Sequence, residues 1–242
     1  FVNVKCSHCG SNAKRETDVS DTFLDSSWYF LRYPSVGEAS SKANLGGKEI
    51  ELPWNNEINK KWLPVTMYIG GNEHAVLHLL YSRFITMALN DMGLLDFDEP
   101  YKKFRALGLI IYKGAKMSKS RGNVVNPNEY IDSYGSDALK MYLLFIGPFE
   151  LGGEFNDRAI TGVYRFLNRA WTLVQEGKFV EKTDSVLAND FNKLNSKIST
   201  DLENLKFNTA IAALMEFLNE LYKNRDNLSR EIVRSFLLIL AP

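Results

Sequence analysis

The period of the apolar positions changes near residue 156. Before it, short apolar runs alternate with Gly, Pro and Asn. Beyond it, apolar residues recur every three or four positions with no strand signal. The first region predicts a helix over Ser27–Tyr33, with Asp25 or Ser26 as its cap and Pro34 as its stop. Residues 34–63 are rich in Ser, Gly, Asn and Lys and predict a surface excursion. A strand over Pro64–Ile69 then meets Gly70-Gly71, and a long helix runs on to Met92 with Gly93 as its stop. Val76, Leu77, Leu80, Phe84 and Met87 form its predicted core-facing stripe. After a polar connection at 96–103, a strand over Ala106–Tyr112 leads into a basic loop. Pro127 opens a helix over Asn128–Tyr134; Ser136 caps another over Asp137–Ile146, which Gly147-Pro148 ends. Four helices follow, at about 156–176, 188–205, 208–223 and 229–240. Ile160, Val163, Phe166, Leu167, Ala170 and Trp171 keep helical spacing, as do Ile211, Leu214, Phe217, Leu218 and Leu221, which predicts an antiparallel bundle.

Composition narrows the picture. With 242 residues and 45% hydrophobic content, one large or two small domains are expected. The formal net charge is zero, so any contact with nucleic acid must be local. No apolar run approaches the length of a membrane span, no signal peptide is expected, and two cysteines do not build a disulfide framework. The start at Phe1 and the stop at Leu240-Ala241-Pro242, straight after an apolar helical run, create the expectation of a piece of a longer polypeptide.

Four clusters carry candidate chemistry. Ala115–Asn123 places Lys116, Lys119 and Arg121 in a loop after a strand; it reads either as a solvated basic turn or as a polyphosphate site. Cys6 and Cys9, followed by Gly10, read as half of a zinc ribbon or as two free thiols in a plain turn. Strand, Gly-Gly turn and helix start at 64–78 suit a nucleotide, since the glycines admit close backbone approach. His74 and His78 are four apart and share one helical face. They read as packed histidines, as two zinc ligands lacking a third, or as the wall of a pocket shared with the Phe23–Tyr29 aromatics. Arg158, Arg165 and Arg169 recur on one polar face, either a solvated face or an RNA-facing stripe.

The stretches D-T-F-L-D-S-S-W-Y (21–29), Y-I-G-G-N-E-H-A-V-L-H-L-L-Y (68–81), K-M-S-K-S-R-G-N-V-V-N-P (116–127) and Y-G-S-D-A-L-K-M-Y-L-L-F (134–145) together resemble the leucyl-tRNA synthetases, which are class I aminoacyl-tRNA synthetases with a KMSKS signature. The resemblance implies an α/β fold, the second half of a Rossmann-type catalytic domain, followed by an all-α bundle. Residues 1–16 would close a zinc-ribbon or editing-domain junction, 17–112 would be the Rossmann half, 113–153 a connecting domain with the KMSKS loop, and 154–242 the start of an anticodon-binding bundle. The reaction implied is activation of leucine by ATP with Mg²⁺ and transfer of the leucyl group to tRNA(Leu), in a cytoplasmic monomer.

By the same resemblance, Phe23, Ser26, Tyr29, His74 and His78 shape the leucine pocket. Gly71 and Glu73 hold the ribose of ATP, and the backbone of Leu109 and Ile110 meets the adenine. Lys116, Met117, Ser118, Lys119 and Ser120 bind the triphosphate, with Lys116 and Lys119 as the catalytic cations. A structural Zn²⁺ at Cys6 and Cys9 would need further ligands from outside the chain. The HIGH motif and the editing domain are absent, and Tyr112–Ala115 leaves no room for the larger insert common before KMSKS. The chain alone is therefore expected to be inactive. Two other readings are an RNA-binding module without chemistry and a zinc hydrolase built on His74 and His78.

Overall fold

The computed structural model describes residues 1–18, 23–182 and 184–241, and the chain divides into two compact units, Phe1–Ala106 and Leu107–Pro242. Asp21 and Thr22, which open the first family-like stretch, lie outside the described residues.

The first unit begins with an antiparallel pair, β1 (Asn3–Lys5) and β2 (Asn12–Lys14), joined through the cysteine turn. The helix expected over 27–33 is broken into a 3₁₀ turn at Asp25–Ser27, α1 (Tyr29–Arg32) and a second 3₁₀ turn at Tyr33–Ser35. Trp28, at φ −139° and ψ 2°, makes the first break. Neither Asp25 nor Ser26 caps the segment, and Pro34 sits in the opening of the last turn, where its missing N–H is not needed.

Residues 34–63 also differ from expectation. They form a hairpin, β3 (Lys42–Leu45) with β4 (Lys48–Glu51), and a helix, α2 (Asn56–Trp62). The Asn55 carboxamide oxygen caps α2 by accepting from the N–H groups of Glu57 and Ile58. Leu52 and Trp54 are buried with Phe30 and Leu31, so this polar-looking segment supplies half of the first core. Its buried residues are few and non-periodic, so the polar majority masks them.

The next strand, β5 (Tyr68–Gly71), lies later than expected; upstream, Val65 makes only a single parallel bridge to Tyr101. β5 pairs with β6 (Phe104–Leu107). A 3₁₀ turn over Asn72–Val76 separates β5 from α3 (His78–Asp91), and Leu77 at φ −109°, ψ −119° breaks the helical path. The break changes which face is covered. Of the expected core stripe, Val76, Leu80, Phe84 and Met87 are 42–72% exposed and Leu77 is half-buried, whereas His78, Leu79, Ser82 and Thr86 are buried. Ser82 and Thr86 tolerate this because each hydroxyl donates 2.7 Å to the carbonyl four residues back.

In the second unit, Gly108 and Leu109 interrupt the strand expected at 106–112. β7 (Ile110–Tyr112) is the centre of a three-stranded sheet, antiparallel to β8 (Ala115–Lys116) and parallel to β9 (Gly153–Glu154). Between β8 and β9 run α4 (Pro127–Tyr134), with Pro127 in its first turn and Asn126 as cap, and α5 (Ser136–Phe145). Gly135, not Ser136, is the N-cap of α5.

The bundle then follows as α6 (Ile160–Glu176), α7 (Ser185–Glu203), α8 (Phe207–Lys223) and α9 (Arg230–Leu240). Phe166, Ala170, Leu173, Leu214, Leu218, Leu221 and Phe236 lie in its buried cluster. Two departures stand out. Trp171 is 67% exposed, and a two-residue parallel pair, β10 (Phe179–Val180) with β11 (Leu228–Ser229), lies within the helical region. Strands that short carry no readable period.

Candidate active site

In the first unit, two aromatic elements close around the histidines. The rings of His74 and His78 are 4.7 Å apart at their centroids, with Nδ1 atoms 2.9 Å apart. One Nδ1 must carry the proton and the other accept it. Burial, and then proximity to His74, pull the His78 pKa below its ordinary 6.5, which favours the neutral His78 ring. Phe23 meets both rings at 6.4 Å and stacks on Tyr81 at 6.3 Å; Tyr29 lies 6.2 Å from His78. The shared helical face is not what joins the histidines, since His74 belongs to the 3₁₀ turn and His78 opens α3. Ser26 contributes through its carbonyl, which accepts from the Ser82 hydroxyl at 3.4 Å.

Three aromatics overlooked in the sequence belong to this cluster. Tyr68 stands 5.3 Å from His78 and 5.3 Å from Tyr101, and Tyr81 stacks on Phe23. Tyr101 donates to Ser82 Oγ at 3.3 Å and reaches the Tyr29 hydroxyl at 3.5 Å. Burial raises the pKa of both Tyr68 and Tyr101, so these phenols stay neutral. The result is an uncharged wall suited to an aliphatic group. Tyr68 was legible: it closes the apolar run before Gly70-Gly71.

Beside it, β5 ends at Gly71, and the exposed Glu73 follows in the 3₁₀ turn. A Cβ on Gly71 would meet the Glu73 carboxylate. The glycine therefore lets an acid fold back over bare backbone, a geometry that can present both to a sugar hydroxyl.

In the second unit, β7 and β8 are joined by a two-residue turn, Lys113 (φ 53°) and Gly114 (φ 72°). Such a tight turn matches the expectation that no insert is present. The Gly114 N–H donates 2.9 Å to the Glu154 carboxylate. Asp157 accepts from Tyr112 at 3.0 Å and from Tyr130 at 2.5 Å, and these bonds hold its carboxyl below the usual range. In the parallel pairing, Gly153 donates to Leu109 C=O and Phe155 to Ile111 C=O. The N–H and C=O of Ile110 therefore point away from β9, towards the β8 side, where the registered pairs cover only Ile111 and Tyr112. That backbone edge can read a flat heterocycle.

The basic loop begins as β8 ends. Lys116, Lys119, Ser120 and Arg121 are exposed. Met117, half-buried, packs against the core of Leu139, Tyr142, Phe155, Ile160 and Val163. The Ser118 and Ser120 hydroxyls are 2.8 Å apart. Lys119–Arg121 form a 3₁₀ turn closed by Gly122 at φ 64°. The array offers ammonium groups, hydroxyls and backbone N–H groups together, the donors a polyphosphate requires.

Residues 9–150 match the family of class I tRNA synthetases (I, L, M and V). The chain belongs to that family. Its fold is accordingly the second half of the class I Rossmann-type domain followed by a helical bundle, and residues 184–242 match the anticodon-binding domain of tRNA ligase. The chain is similar to the leucine–tRNA ligase of Dehalococcoides mccartyi strain 195, 44% identical over all of this chain and 30% of that protein. It is 47% identical to that of Rubrobacter xylanophilus, over all of this chain and 29% of that protein. In structure it resembles the Agrobacterium radiobacter K84 agnB2 LeuRS in its ternary complex with tRNA and LeuAMS. The TM-score is 0.76 and the identity 34%, over 99% of this chain and 32% of that one. The chain thus spans about a third of the length of the synthetases it matches.

The metal readings fare differently. Among the described residues no group of three or more His, Cys, Asp or Glu is placed to hold a metal ion. Cys6 and Cys9 flank a turn closed by Gly10 N–H to Cys6 C=O at 2.9 Å, and Cys9 Sγ lies 3.1 Å from Ser11 Oγ. Two sulfurs are half of a tetrahedral set, so the residues present do not complete a zinc site.

Proposed function

We propose that this chain is the part of a leucine–tRNA ligase that shapes the leucine pocket and carries the phosphate-binding loop. The observation carrying the reading is the aromatic and histidine wall of Phe23, Tyr29, Tyr68, His74 and His78, in a chain that also holds an intact K-M-S-K-S loop on a tight hairpin. In the first step the leucine carboxylate attacks the α-phosphorus of Mg²⁺-ATP. The new P–O bond forms as pyrophosphate leaves. Lys116 and Lys119 oppose the charge gathering on the leaving group, which needs no general base. Glu73 and the Gly71 backbone hold the ribose, and the Leu109–Ile110 backbone meets the adenine. The second step passes the leucyl group to a ribose hydroxyl of the terminal adenosine of tRNA(Leu), releasing AMP. Partner, monomeric state and cytoplasmic location belong to the same proposal.

The histidine pair supports the leucine reading over a hydrolase, since no third metal ligand accompanies it among the described residues. The reading is tested by leucine-dependent ATP–pyrophosphate exchange in the full-length polypeptide, comparing the parent with Lys119→Ala. A loss of about 100-fold or more in kcat is expected, the scale of removing one preorganised charge-stabilising group. Unchanged exchange would favour a binding module without chemistry.

A further inference from the structure

The side chain of Asn123 lies just past the five-residue signature, yet it holds three points of the loop and its hairpin. Its Oδ1 accepts from the Ser118 N–H at 2.8 Å. Its Nδ2 donates to the carbonyl of Lys116 at 3.2 Å and, at longer range, to that of Tyr112 at 3.4 Å. The left-handed Gly122, at φ 64°, turns the chain so that Asn123 points back towards Ser118. These contacts tie the ends of β7 and β8 to the start of the 3₁₀ turn that carries Lys119. Met117 anchors the same segment by packing its half-buried side chain against the core of Leu139, Tyr142 and Phe155.

We propose that Asn123 is a positioning residue for the leucine activation step: its carboxamide presets the backbone between Lys116 and Lys119, so that both ammonium groups are held ready for the departing pyrophosphate. This rests on the ligase reading above. Asparagine suits the task because one carboxamide supplies both an acceptor and a donor. Aspartate keeps the acceptor for Ser118 but turns an anion against the Lys116 and Tyr112 carbonyls. Asn123 itself touches no substrate in this account. Losing it leaves the lysines present but unplaced, which lowers kcat more than it weakens leucine binding.

The experiment has two arms. In the full-length polypeptide, Asn123→Ala and Asn123→Asp are compared with the parent in leucine-dependent ATP–pyrophosphate exchange. Both are expected to lower kcat by about 10- to 100-fold, the scale of one or two lost hydrogen bonds, with the KM for leucine and the melting temperature unchanged. In this chain, amide hydrogen exchange at Ser118 is expected to quicken at least about 10-fold in Asn123→Ala. Turnover of Asn123→Ala within about twofold of the parent would overturn the proposal, as would full activity in Asn123→Asp. A parent with no leucine-dependent exchange would instead sink the ligase reading. The brace itself would then stand or fall on the Ser118 amide of this chain.

Discussion

Alanine substitution at two glycines separates a folding requirement from a functional one. At Gly108 an added Cβ would meet the main chain of Leu151 and Gly152, and a backbone cannot swing aside. The collision lies where β7 enters its sheet. Gly108 N–H donates 2.9 Å to Phe149 C=O, Gly153 N–H donates 3.2 Å to Leu109 C=O, and Phe155 N–H donates 2.8 Å to Ile111 C=O. Relieving the overlap means pushing the two segments apart, at about 1–3 kcal/mol for overpacking. Stretching the first two of these bonds adds about 1 kcal/mol each. Gly108→Ala should therefore destabilise the second unit by about 3–5 kcal/mol, a large share of the 5–15 kcal/mol typical of a domain. At Gly71 the atoms nearest an added Cβ are those of the Glu73 carboxylate, the free end of an exposed side chain. Gly71→Ala should cost less than about 1 kcal/mol in stability, because the side chain can rotate away. In the full-length polypeptide it should raise the KM for ATP. Urea unfolding of this chain, followed by circular dichroism, reads the first contrast. A Gly108→Ala midpoint equal to that of the parent would refute the close-packed crossing.

Two further outcomes are expected. Because the His78 pKa is depressed in the fold, the unfolded chain takes up that proton first; the stability contribution of the neutral ring is full above pH 6.5 and is lost as pH falls below it. The folded His78 ring stays neutral until the pH falls below that value, so the KM for leucine in the full-length polypeptide should be flat from pH 7.5 to 6.5 and rise only at lower pH; a KM that already rises between pH 7.5 and 6.5 would contradict the depressed pKa. The chain alone, which contains no HIGH motif, should show no leucine-dependent pyrophosphate exchange, and measurable exchange by the purified chain would overturn that expectation.

What the sequence disclosed and what it hid follow from how each feature is encoded. The bundle was legible because one face of each helix is buried along its whole length: Ile160, Val163, Phe166 and Ala170 recur at helical spacing and are all buried. Trp171 fails that rule because spacing alone cannot tell the edge of an apolar stripe from its centre. The same reasoning misplaced α3. There the exposed residues are the large apolar ones, Val76, Leu80, Phe84 and Met87, while Ser82 and Thr86 are buried. A hydrophobicity pattern reads such a helix inside out, because hydroxyls bonded to their own helix carry no burial cost and small side chains allow close approach to Ser26 and Ser27. Motif residues were found by type and order. Their geometry was not, since it depends on side-chain reach across turns: Met117 reads as part of a ligand loop but is anchored inward, and Asn123 reads as a flanking residue but holds the loop together. For α3 and for Asn123 the hidden feature is a side chain whose placement follows a local backbone break, at Leu77 in one unit and at Gly122 in the other. Local breaks of this kind leave no periodic trace, so a site built on them becomes visible only when the chain is seen folded.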